Sequence, residues 1–322
     1  YDRALALDPE DAECRRNRAM TLLLLGRLAE GWPAYEARWR TARFKGQNRA
    51  GQKPRWTAAG AEPGATVLVR AEQGFGDTIQ FARYAALLAA ADQHVILECP
   101  AALVRLMASL DGVIQVVEQG GDRLPGHDYQ IPLMSLPAAF ATDLATIPAD
   151  VPYLRAPDRD RADWRRRLGK LAGPRIGIVW KGSPDHPRDR VRSPGLAPFL
   201  PLLNLSGATL VSLQMGGGTD LAAHGADAVV DMTPDLRDFA ATAALIECLD
   251  LVVTCDTAVG HLAGALGRPV AMMLPQVPEW RWLLDRDDTP WYPTMRLFRQ
   301  PAAGDWDDAV KSLVSYIRRH WL

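Results

Sequence analysis

The chain has 322 residues, too many for one small core, so two domains and an appendage are expected. Its 48% hydrophobic and 23% charged residues are those of an ordinary globular protein, and a net charge of −1 excludes binding nucleic acid or a membrane through overall field. Cys14, Cys99, Cys248 and Cys255 show no paired or CxxC spacing, which points to reduced, buried thiols of a cytoplasmic protein rather than to disulfides or metal ligands. No apolar run is long enough to span a bilayer and no signal peptide opens the chain.

In chain order, Tyr1-Asp2-Arg3-Ala4-Leu5 recurs in altered form as Tyr35-Glu36-Ala37-Arg38-Trp39. The spacing is that of the tetratricopeptide repeat, about 34 residues. Leu7-Asp8-Pro9 ends one helix, and Leu25-Gly26-Arg27 sits at a tight turn between two more. Residues 1–45 are therefore expected to be a helical repeat remnant with further repeats upstream, a plain helical hairpin being the alternative. Residues 46–65 belong to a polar, basic stretch and read as a connector.

From Thr66 the texture changes to short apolar runs alternating with helical period. Strands are predicted at 66–70, 94–98, 113–117 and 129–131, with one helix over 79–91. Residues 151–173, rich in Pro, Asp and Arg, read as an inter-domain crossing. A second strand series is predicted at 175–180, 208–213, 228–231, 251–255, 270–274 and 295–298. Val310, Leu313, Val314, Ile317 and Trp321 share one face of a final helix. This alternation predicts two doubly wound parallel sheets, the first in residues 66–160 and the second in 161–322. Ligands of such sheets bind beyond the carboxyl ends of the strands, so the loops there carry the candidate chemistry.

The first of these loops reads Glu72-Gln73-Gly74-Phe75-Gly76-Asp77-Thr78. Ile79 stands where a dinucleotide fingerprint needs a third Gly or Ala, so a nicotinamide site is excluded. Asp77 has two readings: an N-cap of the following helix, or a carboxylate that takes the proton of an acceptor hydroxyl. The Lys181–Ser193 loop places basic side chains directly after a buried strand, either as a solvated charged face or, given its place at a strand's carboxyl end, as an anion site. Asp256-Thr257-Ala258-Val259-Gly260-His261 passes from strand to a helix of small residues, which lets backbone N–H groups approach a diphosphate. Gly216-Gly217-Gly218 is a turn or a backbone approach to nucleotide, and Glu279-Trp280-Arg281-Trp282 either lines a sugar or fills core.

Taken together, Gly76-Asp77, the Trp180–Ser193 loop and Asp256-Thr257-x-x-x-His261 resemble the bacterial heptosyltransferase-like glycosyltransferases of the GT-B fold. Glu72–Tyr84, Pro278–Leu284 and Trp291-Tyr292-Pro293 resemble a branch linked to tetratricopeptide repeats. The resemblance runs from Trp32 onward and implies a metal-independent, inverting transferase with no cofactor besides its nucleotide-sugar donor. It assigns the base to Asp77, and donor contacts to Lys181, Arg192, Ser193, Gln214, Asp256, Thr257, Ala258 and His261. The acceptor side would include Glu72, Gln73, Phe75 and Trp280. Lys181 departs from the small residue expected there. A protein acceptor, surface or flagellar, recruited by the repeat helices is expected; a lipid-linked saccharide, a sugar-nucleotide epimerase and a non-catalytic scaffold are the alternatives.

Overall fold

A computed structural model describes residues 1–44, 53–121 and 124–322; residues 46–52 of the expected connector lie outside them. Helix α1 (Asp2–Leu7) leads to α2 (Ala12–Leu24), whose first turn is closed by Asp11 accepting from the Cys14 N–H at 2.9 Å. Gly26, at φ 74°, reverses the chain into α3 (Leu28–Tyr35), which tightens into a 3₁₀ turn over Glu36–Arg40. The helical hairpin is thus present, with its turn where Leu25-Gly26-Arg27 placed it.

The first sheet uses β1 (Thr66–Arg70), β2 (His94–Cys99), β3 (Val113–Glu118) and β4 (Tyr129–Pro132). Between β1 and β2 the single helix predicted over 79–91 is two, α4 (Phe75–Phe81) and α5 (Tyr84–Ala90). Arg83 explains the break: its Nε–H donates at 2.8 Å to the Gln80 carbonyl, the acceptor that the Tyr84 N–H would use in a continuous helix. Helix α6 (Ala101–Met107) joins β2 to β3, and α7 (Leu136–Ala139) follows β4. The crossing is itself helical, as α8 (Asp158–Leu168), because Asp158 and Asp160 lie in its first turn and Arg165, Arg166 and Arg167 in its last, matching the helix dipole.

Six strands build the second sheet: β5 (Arg175–Val179), β6 (Thr209–Ser212), β7 (Val230–Asp231), β8 (Leu251–Cys255), β9 (Val270–Leu274) and β10 (Met295–Arg299). Its helices are α9 (Asp189–Arg192), α10 (Gly218–Ala223), α11 (Phe239–Ile246), α12 (Ala258–Ala265) and α13 (Trp306–His320). The strand orders are β3-β2-β1-β4 and β10-β9-β8-β5-β6-β7, with every pairing parallel. This is an α/β fold of two parallel sheets. Each order reverses once, beside β1 in the first sheet and between β5 and β8 in the second. In open parallel sheets such reversals are where ligands bind, here at the carboxyl ends of β1, β5 and β8.

One hydrophobic core runs from the hairpin through the first sheet to the inner face of the second, and another lies under α13. Trp32 of α3, 1% exposed, shows why the hairpin belongs to the main body. Its indole meets Phe81 of the first lobe at 5.8 Å between ring centroids, and Trp280 and Trp291 of the second at 5.2 and 6.4 Å. All three contacts are edge-to-face, the geometry that the ring quadrupoles favour. Trp32→Ala is therefore expected to cost about 3–5 kcal/mol, read as a lower urea midpoint. An unchanged midpoint would mean that the hairpin adds nothing to the core.

Candidate functional site

The two strand-to-helix turns that follow β1 and β8 meet across the gap between the sheets, where α4 packs on α12. The approach depends on Gly76: a Cβ there would lie 2.9 Å from Cδ2 of His261 and 3.5 Å from the Ala258 Cα. Gly76→Ala should push the helices apart at a cost of about 1–3 kcal/mol, measurable by denaturant unfolding.

On the first lobe, Gln73 holds a left-handed φ of 63° and its amide donates to the Tyr35 hydroxyl at 3.2 Å. Gly74 is the N-cap residue of α4 and Asp77, at the third helical position, closes its capping box, so the capping reading of Asp77 holds in that form. Asp77 stands one turn in and reaches back, its Oδ2 accepting from the Gly74 N–H at 2.8 Å. Its Oδ1 accepts from the guanidinium of Arg281, on the second lobe. The carboxylate keeps 18% exposure, enough to meet a ligand.

On the second lobe, Arg192 donates to the Asp256 carbonyl at 2.8 Å and pairs with Asp189 at 3.3 Å. Gly182 leaves the room that the Arg192 guanidinium fills. Ser193 ties the loop together, accepting from the Gly182 N–H at 2.9 Å and donating to Asp189 at 2.7 Å. Thr257 is the N-cap of α12, its hydroxyl 3.0 Å from that of Thr254, and Ala258 is the first helical residue. His261 is buried, with Nδ1 2.9 Å from the Tyr292 hydroxyl, its ring stacked on Trp282 and Nε2 4.0 Å from Asp256. Burial, helped by the charges of Arg281, Arg83 and Arg192, holds His261 well below its usual pKa, so the ring is neutral.

Other expected site residues have different partners. Lys181 pairs with Asp220 at 2.7 Å, and the Gln214 side-chain carbonyl accepts from the Trp180 and Lys181 N–H groups at 3.2 and 2.9 Å. Glu72 is buried on Arg38 of the hairpin at 2.8 Å and accepts from the Met134 N–H at 3.1 Å. Trp280 is buried against Trp32 with Arg281 over its indole, which leaves it packed in protein. Phe75 is exposed and leans on Phe239 across the gap at 5.0 Å. Gly216, at φ 69°, makes the glycine run a turn before α10.

Asp77, Arg192, Asp256, Thr257, Ala258 and His261 thus come together where the two turns meet, and Arg281 and Glu279 join them. Arg281 is buried, paired with Glu279 at 2.8 Å as well as with Asp77, and lies over the Trp280 indole at 4.3 Å. Burial, reinforced by Asp256 and Asp77 and opposed by Arg281, pushes the Glu279 carboxyl up to about 7. Sequence reasoning placed both residues in a loop at a strand's carboxyl end but chose Trp280 from among them. Nothing in the local pattern marks which of four neighbouring side chains turns inward. Among the described residues no His, Cys, Asp and Glu cluster could hold a metal ion, and no helix is long and apolar enough to cross a membrane. All four cysteines are buried and free.

With this geometry in view, residues 220–273, from α10 to β9, match the profile of "Glycosyltransferase family 9 (heptosyltransferase)". Protein FlbA of Caulobacter vibrioides is 27% identical over 341 aligned positions, which cover 96% of this chain and 56% of that protein. The chain therefore spans little more than half the length of this relative. Among solved structures, the ADP-heptose LPS heptosyltransferase II of E. coli matches with a TM-score of 0.55 at 14% identity, over 79% of this chain and 99% of the other. A family 9 glycosyl transferase from Veillonella parvula matches with a TM-score of 0.57 at 11% identity, over 80% and 97%. At such identities the likeness is one of fold.

The neutral imidazole gives the crevice a pH signature. Because the folded pKa of His261 lies below its ordinary 6.5, the unfolded chain takes the proton first. The stability this group contributes is present above 6.5 and is lost as pH falls below it. His261→Gln should flatten the acid-side fall in melting temperature, followed by thermal unfolding between about pH 5 and 7.5. A variant curve parallel to the wild type would remove His261 from the account.

Proposed function

We propose that the chain is a heptosyltransferase-like glycosyltransferase that moves a sugar from a nucleotide donor to a hydroxyl acceptor in the crevice between its sheets. The observation that carries this reading is the facing pair of strand-to-helix turns. One presents a carboxylate, Asp77, and the other a helix N-terminus with Arg192 beside it. The family 9 match of residues 220–273 agrees with a donor site on the second lobe.

In this reading the donor diphosphate lies against the first N–H groups of α12, where the helix dipole and Arg192 offset its charge without a metal. Thr257 and Ala258 provide the close backbone approach, and Asp256 with neutral His261 faces the sugar. Asp77 accepts the proton of the acceptor hydroxyl while that oxygen attacks the anomeric carbon from the side opposite the diphosphate. The bond from the anomeric carbon to the diphosphate breaks, its electron pair leaves with the nucleotide, and the configuration inverts. Ser193 holds the loop that carries Arg192. Lys181 and Gln214 support the β5–β6 end of the donor site, Lys181 anchored by Asp220. Glu72, Gln73 and Phe75 shape the acceptor loop, with Glu72 and Gln73 fastened to the hairpin.

The acceptor in this proposal is a protein presented by a tetratricopeptide-like array that ends in the present hairpin. The support is placement: Trp32 and Arg38 seat the hairpin beside the loop that carries Asp77. ADP-sugars are the first donors to try, since the E. coli structural neighbour is an ADP-heptose enzyme.

The test is acceptor-dependent release of nucleotide from ADP-, UDP-, GDP- and CMP-sugars. Isomerised sugar without acceptor would instead indicate an epimerase, and partner binding without turnover a scaffold. Asp77→Asn is expected to lower transfer by about 10²–10⁴-fold while calorimetry shows donor affinity nearly unchanged. Retained turnover would remove Asp77 as the base. Arg192→Ala should weaken donor binding by about tenfold or more, the loss of one charge-assisted contact.

A further inference from the structure

Arg281 holds the crevice in a particular state. Its guanidinium spans the lobes, donating to Asp77 Oδ1 and Gln80 Oε1 on α4 and to Glu279 Oε2 at 2.8 Å in its own turn. With Oδ2 of Asp77 already bound to the Gly74 N–H, both oxygens of the proposed base are engaged, one of them by a cation. A carboxylate in that state is a weaker acceptor for a hydroxyl proton, because Arg281 already engages Oδ1. Glu279 is the other carboxylate in ion-pair contact with Arg281 among the described residues.

We propose that Glu279 is a positioning residue of the transfer, drawing Arg281 to itself and so releasing Oδ1 of Asp77 to the acceptor hydroxyl. The inference rests on the reading of Asp77 as the base. Trp280 gives the guanidinium a rail for that shift, since its indole lies under Arg281 at 4.3 Å and is locked by Trp32. A short swing over a fixed aromatic face keeps the cation–π contact and the Nη1 contact to Glu279 while withdrawing Nη2 from Asp77.

The charge on Glu279 decides the exchange, and its surroundings make that charge adjustable near neutrality. Burial raises its carboxyl, Asp256 at the end of β8 and Asp77 on α4 add to the effect, Arg281 opposes it, and the group titrates at about 7. From the remaining elements, Gln80 of α4 and Tyr35 of α3 face Arg281, and Arg188 binds the Val277 and Pro278 carbonyls just before Glu279. Below about 7 a neutral Glu279 leaves Arg281 on Asp77, and above it an ionised Glu279 competes. Transfer therefore rises with pH through this range.

The experiment uses the full chain and the donor that the nucleotide-sugar screen identifies, and records kcat and KM from about pH 6 to 8.5 for wild type, Glu279→Gln and Glu279→Asp. The expected result for Glu279→Gln is a kcat about tenfold lower or more, a donor KM within about twofold of wild type, and no inflection near neutrality. Glu279→Asp should recover part of kcat with a displaced inflection. The ¹⁵Nε resonance of Arg281, followed without substrate, should move between pH 6 and 8 in wild type and stay fixed in Glu279→Gln. An unaltered profile in Glu279→Gln, kcat and donor affinity lost in parallel, or an Arg281 signal that ignores pH in wild type overturns the inference. In an enzyme that transfers sugar and fails with Asp77→Asn, those results leave the functional reading standing; no transfer from any nucleotide sugar sinks that reading itself.

Discussion

Two helix N-termini face one another here because one residue has no side chain. Gly76 lets the first turn of α4 lie against Ala258 and His261 of α12, and that approach aligns the switch points of the two sheets. Without it, Asp77 and the start of α12 would belong to separate surfaces. The charges follow from this closeness. Arg281 can reach Asp77 only because the lobes already touch, and it stays charged in a buried place because Glu279, Asp77 and Asp256 surround it. The structure accepts the desolvation of these groups and holds their polar atoms in fixed positions.

The helical hairpin takes part in the same economy. A two-helix hairpin cannot bury its apolar face alone, and here the face is buried on both lobes through Trp32. Arg38 adds a buried ion pair to Glu72, at the start of the loop that carries Asp77. Burial raises the Glu72 carboxyl while Arg38 opposes it, so the pair is held by geometry more than by free attraction. The hairpin, the loop between β1 and α4 and the lobe contact are thereby mechanically linked. Arg83 makes a further link, fully buried and donating to the Pro148 and Trp291 carbonyls and the Tyr153 hydroxyl.

Much of the fold was legible from periodicity. Strands fell close to their predicted runs because a buried parallel strand is a short, continuous apolar stretch bounded by turn residues. The helices were less legible where side chains compete with the backbone. Arg83 splits the helix after β1 by taking the Gln80 carbonyl, and the Pro- and charge-rich crossing conceals α8, whose apolar contacts rest on Trp164 and Leu168. Neither feature has a local signature strong enough to override composition.

By itself the sequence determined the alternation of strand and helix, the hairpin turn at Gly26, and the loops at strand ends where Asp77, Arg192 and Asp256 stand. These depend on local propensity and spacing of apolar residues, which are written along the chain. Only the tertiary structure decided partnership. Glu72 turned to Arg38, Lys181 to Asp220 and Trp280 to Trp32, while Arg281 and Glu279 came to the crevice. Such choices join residues as far apart as Asp77 and Arg281, and they are made by which lobe surfaces meet, a property of the packed molecule that no window of sequence contains.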